Sequence, residues 1–276
     1  MLNLIDNLLE SYIKIRKPYL SIVAILKNEA SYIKEWIEYH RLVGVSKFYL
    51  YDNDSTDNVY EILKPYIDKG IVVYIKFPGS AQQHNAYNDA INKYKYETKW
   101  LAIIDLDEFI VPVETKTIPD FLKKFEKNVA LGVNWLMFDY NNHEQKPEGL
   151  VIENYTRVAY EFIANNHIKS IVNPRQVTGV QTPHSFYYKN NQLAVNENYE
   201  NLDWALTKNI SFKKIRINHY HCKSREEYMI KLERGNADKL EKRPFNIALF
   251  DFGNTNDTLI IDKYLTKLKE RLEING

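Results

Sequence analysis

A single cysteine, Cys222, stands in this 276-residue chain, so no intramolecular disulfide framework and no cysteine-rich zinc module can be built. That fits a reducing compartment. Neither sign of charge is in excess. The 37 Lys and Arg face 36 Asp and Glu for a net charge of +1, which leaves no electrostatic footprint for nucleic acid or a polybasic membrane contact. No run approaches the ~20 apolar residues of a membrane span, and the mean hydropathy is −0.46. The nine glycines include no phosphate-cradling loop: the Rossmann and P-loop patterns are both missing and Gly79 is isolated. No serine sits in a nucleophile elbow. What the chain has in excess is tyrosine, 21 residues. Aromatic faces suit sugar rings and nucleobases, but most of these rings are expected in the core.

The length suits one large α/β domain, or a domain with an appendage. Residues 20–26 form a β-branched run between Pro18 and Lys27-Asn28-Glu29, which predicts a buried strand. Ile33, Trp36, Ile37 and His40 then mark one helical face, and Gly44 stands where a left-handed cap would end that helix. Strands are expected at 47–51, 71–77 and 100–104, with helical faces between them at Val59, Ile62, Leu63 and Tyr66 and at Ala86, Tyr87, Ala90, Ile91 and Tyr94. Alternation of this kind predicts right-handed βαβ crossovers in a mostly parallel sheet. Ligands of such sheets bind beyond the carboxyl ends of the strands. Three polar clusters fall there: Lys27-Asn28-Glu29, Asp52-Asn53-Asp54 and Asp105-Leu106-Asp107. After residue 121 the pattern is mixed and loop-rich, with strands expected at 129–138, 151–160, 168–172, 176–180, 185–188 and 212–218. Ser224 and Glu227 form a capping-box pair opening a helix that Gly235 stops, and residues 257–273 read as a last amphipathic helix.

Alternation in an extended segment puts Asp105 and Asp107 on one side, where two oxygen donors could hold a divalent cation and a ribose or diphosphate oxygen. A strand-end Asp cluster also serves as a turn. His219 and His221 follow a strand, and one of them is expected as a third metal ligand; without a second Cys or His pair at zinc spacing, a structural zinc site is not. Cys222 beside them reads as an ordinary thiol rather than a nucleophile. Positive charge for a bound diphosphate would come from the metal, helped by Lys169, Arg175 or Lys223.

These blocks together carry a resemblance. Lys27-Asn28-Glu29, the 35–40 stretch Glu-Trp-Ile-Glu-Tyr-His, the Tyr51 to Asp57 cluster, residues 82–88 and Asp105 to Phe109 resemble the opening of glycosyltransferase family 92 and related family-2-like transferases. Lys169-Ser170-Ile171-Val172, Pro174, His184, Asn218-His219-Tyr220 and Lys223-Ser224 are similar to that family's later blocks, so the resemblance covers about residues 20–235 in order. It implies a GT-A fold: a Rossmann-like mixed sheet flanked by helices in a single main domain. It also implies a nucleotide-sugar donor, UDP-hexose with galactose the suggested sugar, and Mn²⁺ or Mg²⁺ at the DXD triplet. By the resemblance Asp107 binds metal, and Asp105 meets the metal or the ribose. Asn28, Glu29, Asp52 and Asp54 lie at nucleotide-binding strand ends, Gln82, Gln83, Tyr87 and Asn88 line the donor, and His219 matches the late ligand better than His221.

The activity expected is a metal-dependent, inverting hexosyl transfer to a glycan acceptor. Asp139, or alternatively Glu144, would be the base, with Trp135, Tyr140, His143 and Phe186 as sugar-pocket aromatics. A nucleotide-sugar pyrophosphorylase or other nucleotidyltransferase, and an inactive carbohydrate-binding relative, are the alternatives. The expected organisation is a docked N-terminal helix at 1–17, a nucleotide-sugar half at 18–112, an acceptor and metal-completing half at 113–235 and a helical appendage at 236–276. The expected location is cytoplasmic, compatible with peripheral contact at the inner membrane face and without nucleic-acid partners; the sequence leaves the oligomeric state open.

Overall fold

The computed structural model describes residues 17–235 and 244–274, so the expected docked helix at 1–17 falls almost wholly outside the described residues. Strands β1 (Leu20–Leu26), β2 (Lys47–Asp52), β3 (Val72–Lys76) and β4 (Trp100–Ile103) alternate with helices α1 (Ile33–Leu42), α2 (Val59–Asp68) and α3 (Gln83–Tyr94). Each crossover returns the chain to the same sheet, in which β1 pairs parallel with β2 and β4, and β2 with β3. Every residue of β1 is buried, the reason its sequence is a continuous apolar run and not an alternating one. Gly44 ends α1 at φ +103, and a Cβ there would lie 2.7 Å from Pro119 Cδ, so both its backbone and its space favour glycine.

The second half contributes β5 (Glu108–Pro112), β6 (Ala130–Met137), β7 (Arg157–Val158), β8 (Ile168–Val172), β9 (Val177–Val180), β10 (Phe186–Tyr188), β11 (Ala194–Val195), β12 (Asn201–Leu202), β13 (Ile215–His219) and β14 (Thr255–Asn256). Its helices are α4 (Ile118–Leu122), α5 (Val151–Asn154), α6 (Arg225–Arg234), α7 (Ile247–Phe250) and α8 (Leu259–Ile274). β8 runs antiparallel between β4 and β6, giving a main sheet ordered β12-β11-β6-β8-β4-β1-β2-β3. β13 extends it by pairing parallel with β6 and antiparallel with β5. The α/β class expected from the sequence, a mixed central sheet between helices in one main domain, is the one observed.

One side chain layer packs Trp36, Phe48, Phe109, Phe121 and Leu268 between the sheet and α1, α2, α4 and α8; the other packs Tyr49, Tyr51 and Ile103 beneath Ala86, Tyr87, Ala90 and Ile91 of α3. The tyrosine surplus sits largely in these layers and their seams, with Tyr39, Tyr49, Tyr51, Tyr87, Tyr155, Tyr220 and Tyr228 fully buried.

Residues 151–160 depart from the long strand expected there. Val151–Asn154 is a helical turn whose first two amides, of Val151 and Ile152, donate to the Glu35 carboxylate at 2.9 and 3.1 Å. A buried carboxyl group that accepts from both amides at a helix start stabilises the turn over an extended alternative, and only Arg157–Val158 pairs, antiparallel to β14.

Candidate functional site

β1, β2 and β4 end along one edge, and a cleft of about 630 Å³ opens beyond them, lined among others by Leu26, Asn53, Asp105, Asp107, Trp135 and His219. Asp105-Leu106-Asp107 runs through a turn joining β4 to β5 and is not an extended stretch, so strand alternation does not apply there, and the two carboxylates line the same cleft with different partners. Asp105 accepts from Lys169 Nζ at 2.7 Å, Gln83 Nε2 at 3.0 Å and the Tyr87 hydroxyl at 3.1 Å. Burial raises its proton affinity, but the Lys169 ammonium outweighs that and lowers its pKa. Lys169, itself fully buried on β8, also lies 3.8 Å from Glu108 Oε1, while Glu108 Oε2 accepts the Asp105 amide at 3.0 Å. Burial pushes Glu108 well above the usual carboxylate range, with Lys169 opposing. Asp105 is thus the hub that holds the turn to β8 and α3.

Asp107 faces the end of β13 and α6. His219 Nε2 lies 3.6 Å from its Oδ1 and Lys231 Nζ 2.6 Å from its Oδ2. Burial would raise the Asp107 pKa; the Lys231 charge and the His219 ring reverse this and hold it well below the usual range. Donor atoms of Asp107, His219 and His221 lie within 4.8 Å of one another, and the buried His219 Nδ1 has no hydrogen-bond partner among the described residues. One carboxylate and two imidazoles fit a divalent transition metal such as Mn²⁺ better than Mg²⁺, which favours an all-oxygen shell. Asp105, the other expected metal carboxylate, is outside this group, and its oxygens accept from Lys169, Gln83 and Tyr87. His221 belongs to it alongside His219.

The model of glycosyltransferase family 92 matches residues 20–272. This chain belongs to glycosyltransferase family 92. It is 26% identical over 185 residues to a family 92 protein of Oryza sativa subsp. japonica, covering 64% of this chain and 31% of that protein. Over 108 residues it is 36% identical to the galactan beta-1,4-galactosyltransferase GALS3 of Arabidopsis thaliana, covering 34% of this chain and 21% of that one. The chain spans about a third of the length of the first of these relatives. Among solved structures, S. aureus TarS 1-349 gives a TM-score of 0.39 at 16% identity, over 57% of this chain and 47% of that one.

The family 92 cleft also has a cationic rim. Beside Lys27, two of its charges among the described residues come from α6, where the capping box expected at Ser224 and Glu227 is formed. Lys231 Nζ reaches His221 Nδ1 at 3.1 Å and donates to the His221 carbonyl at 2.9 Å; Arg234 Nη1 donates to the Lys27 carbonyl at 2.7 Å and lies 3.0 Å from Glu29 Oε1. Sequence reasoning passed over both residues. The available signal was two basic residues three apart, hence on one face of a helix opening just after His221.

The remaining candidates divide. Glu29, Asp54 and Gln83 line the cleft; Asp54, at φ +61, accepts the Gly79 amide at 3.0 Å. Asn28 and Asp52 act within the loops: Asn28 Oδ1 takes the Thr56 amide at 2.7 Å, and Asp52 takes the Ser55 amide at 3.1 Å and the Tyr74 hydroxyl at 2.5 Å. Tyr87 supports Asp105 from α3, whereas Gln82, Asn88 and Arg175 lie outside the lining. Lys223 Nζ sits 3.8 Å over the Tyr32 ring and is not part of the cleft wall.

Asp139 and Glu144 do not border the cleft. Asp139 is buried, accepts the amides of Gly253 and Asn141 at 2.8 Å each, and lies 3.5 Å from Arg157, so it ties the loop after β6 to the segment before β14. Glu144 is exposed, 3.7 Å from Arg225. Of the expected sugar-pocket aromatics, Trp135 lines the cleft in ring contact with His167, His184 and His219 at centroid distances of 5.0, 5.0 and 4.3 Å. Tyr140 stacks on Phe250 and His143 packs edge-on against Tyr155, both away from the cleft. His184 and His167 each direct Nδ1 to a backbone carbonyl, at 2.8 and 3.1 Å, and burial lowers both pKa values, that of His184 to about 3. Their rings are neutral at physiological pH.

Proposed function

We propose that this family 92 chain transfers a hexose, galactose, from a UDP-linked donor to a hydroxyl of a glycan, with Mn²⁺ held by Asp107, His219 and His221. The observation that carries the reading is this donor set at the head of the strand edge, flanked by Lys231 and Arg234. A chain of net charge +1 supports diphosphate binding if its positive potential is local. Galactose is favoured because one similar protein is a galactan beta-1,4-galactosyltransferase.

When bound, the metal would neutralise the charge that develops on the departing diphosphate. Lys231 and Arg234 would add direct contacts to phosphate oxygens, and Asp105, held by Lys169, would keep the turn bearing Asp107 in place. Glu29 and Asp54, between β1, β2 and α6, are available to the nucleoside hydroxyls. Inversion requires a group that takes the acceptor proton. With Asp139 and Glu144 outside the cleft, the neutral imidazole of His167 is a basic group left in its wall.

A panel of nucleotide-sugars, with Mn²⁺-dependent donor hydrolysis measured for each, tests the reading. UDP-galactose should be turned over fastest and chelation should stop it. Formation of a nucleotide-sugar from a nucleoside triphosphate and a sugar phosphate, or no donor turned over with or without metal, would contradict it.

A further inference from the structure

A second groove of about 410 Å³ lies outside the cleft, between the β9–β10 hairpin and the chain around β12. Two large rings stand open in it: Tyr187 is 56% exposed and Trp204 48%. Tyr187 is uncovered for a reason legible in the register, since its cross-strand partner is Gly179, which has no side chain to lay across the ring. Among the described residues, the side chains of Gln181, Gln192 and Asp203, which also line it, make no internal hydrogen bond. Among the described residues no Lys or Arg lines the groove, which disfavours a phosphate-bearing ligand.

The groove and the cleft share walls. In the turn after β9, Gln181 and Ser185 line the groove while Pro183 and His184 line the cleft. The Ser170 hydroxyl donates to the His184 carbonyl at 2.6 Å, and the His184 ring reaches the Ile168 carbonyl at 2.8 Å. On the other side the Ile168 amide donates to the Ala205 carbonyl at 3.1 Å and His167 bridges to Leu206, which sets Trp204 one residue from a strand-like contact with the cleft wall.

We propose that this groove is a second binding subsite for an uncharged glycan chain, the part of the acceptor that extends beyond its reacting end. Open ring faces stack on the C–H faces of sugars, and the amide and carboxylate groups of Gln181, Gln192 and Asp203 around them take sugar hydroxyls. The inference rests on the glycosyltransferase reading for the identity of the chain as acceptor.

The test is binding of β-1,4-linked galacto-, gluco- and N-acetylglucosamine hexasaccharides and their disaccharides, by calorimetry, to the intact chain, alongside UDP binding with Mn²⁺. At least one hexasaccharide should bind more tightly than its disaccharide. Trp204→Ala with Tyr187→Ala should weaken it about tenfold, Trp204→Phe should retain most of the affinity, and UDP affinity should stay within about twofold. No hexasaccharide binding, or equal binding to the double variant, overturns the subsite. If UDP still binds with Mn²⁺ in that case, the transferase reading stands alone; if UDP fails to bind while a hexasaccharide does in a Trp204-dependent way, the subsite stands and the transferase reading falls.

Discussion

Lys231 Nζ lies 2.6 Å from Asp107 Oδ2, and the same ammonium stands 3.1 Å from His221 Nδ1. A side-chain cation therefore rests against two of the three groups that would hold a metal. An ammonium and a divalent ion cannot share those donor atoms, so metal entry requires the Lys231 head to withdraw, and its flexible stem permits this. Lys231→Met is expected to tighten Mn²⁺ binding by about tenfold, an effect of the order of one removed charge contact. Titration of free Mn²⁺ by electron paramagnetic resonance reads this directly; equal or weaker affinity in the variant would mean that Lys231 does not compete.

The two aspartates of the triplet should fail in different ways. Asp107→Asn is expected to abolish Mn²⁺ binding, with a loss of stability of about 1 kcal/mol from its partly exposed Lys231 pair. Asp105→Asn is expected to keep most of the Mn²⁺ affinity but to destabilise the fold by about 3 kcal/mol, because the buried Lys169 loses its close partner and keeps only Glu108 at 3.8 Å. Urea denaturation together with Mn²⁺ titration separates the two; matching profiles would refute the division of roles.

His40 predicts an acid limb of the stability curve. It is fully buried, its Nδ1 faces the Trp36 carbonyl at 2.8 Å and its Nε2 accepts the Ile110 amide at 3.2 Å, an arrangement only the neutral ring can make. Burial lowers its pKa to about 3 from an ordinary 6.5. The folded pKa is depressed, so its contribution is present in full above about pH 6.5 and is lost as pH falls toward 3, with a slope of at most about 1.4 kcal/mol per pH unit. His40→Gln should flatten the fall in denaturation free energy between pH 6.5 and 4; an unchanged slope would show that His40 does not titrate on unfolding.

Arg216 and Asp257 form a buried two-point pair at 2.8 and 2.5 Å that joins β13 to the start of α8. Removing one partner leaves the other charged and buried, so Asp257→Ala should cost about 3–5 kcal/mol. Chemical denaturation measures it. A loss below about 1 kcal/mol would place the pair with ordinary surface bridges.

The first half of the fold was legible because its signals are local. Buried parallel strands read as apolar runs, helices carry one apolar face, and Gly44 stands where the chain must turn, so the strand edge and the three polar clusters followed from spacing alone. The second half was less so, since β8, β11 and β13 join a sheet whose partners lie far away in sequence. The 151–160 strand failed for the same reason: a carboxylate more than a hundred residues earlier, Glu35, decides the local structure. At the site, Asp107, His219 and His221 were readable as donor types, but only the fold shows that a turn separates Asp105 from them. Asp139 looked like a base because a carboxylate in a polar loop resembles one. Its burial under Gly253 depends on a chain segment that no local pattern connects to it.

In the proposed mechanism a metal held by Asp107, His219 and His221 creates the diphosphate site. UDP affinity measured by calorimetry with and without Mn²⁺, in the native chain and in Asp107→Ala, His219→Ala and His221→Ala, tests it most directly. Binding should require Mn²⁺ in the native chain and fall at least tenfold in each variant. UDP affinity indifferent to both the metal and the three substitutions would contradict it.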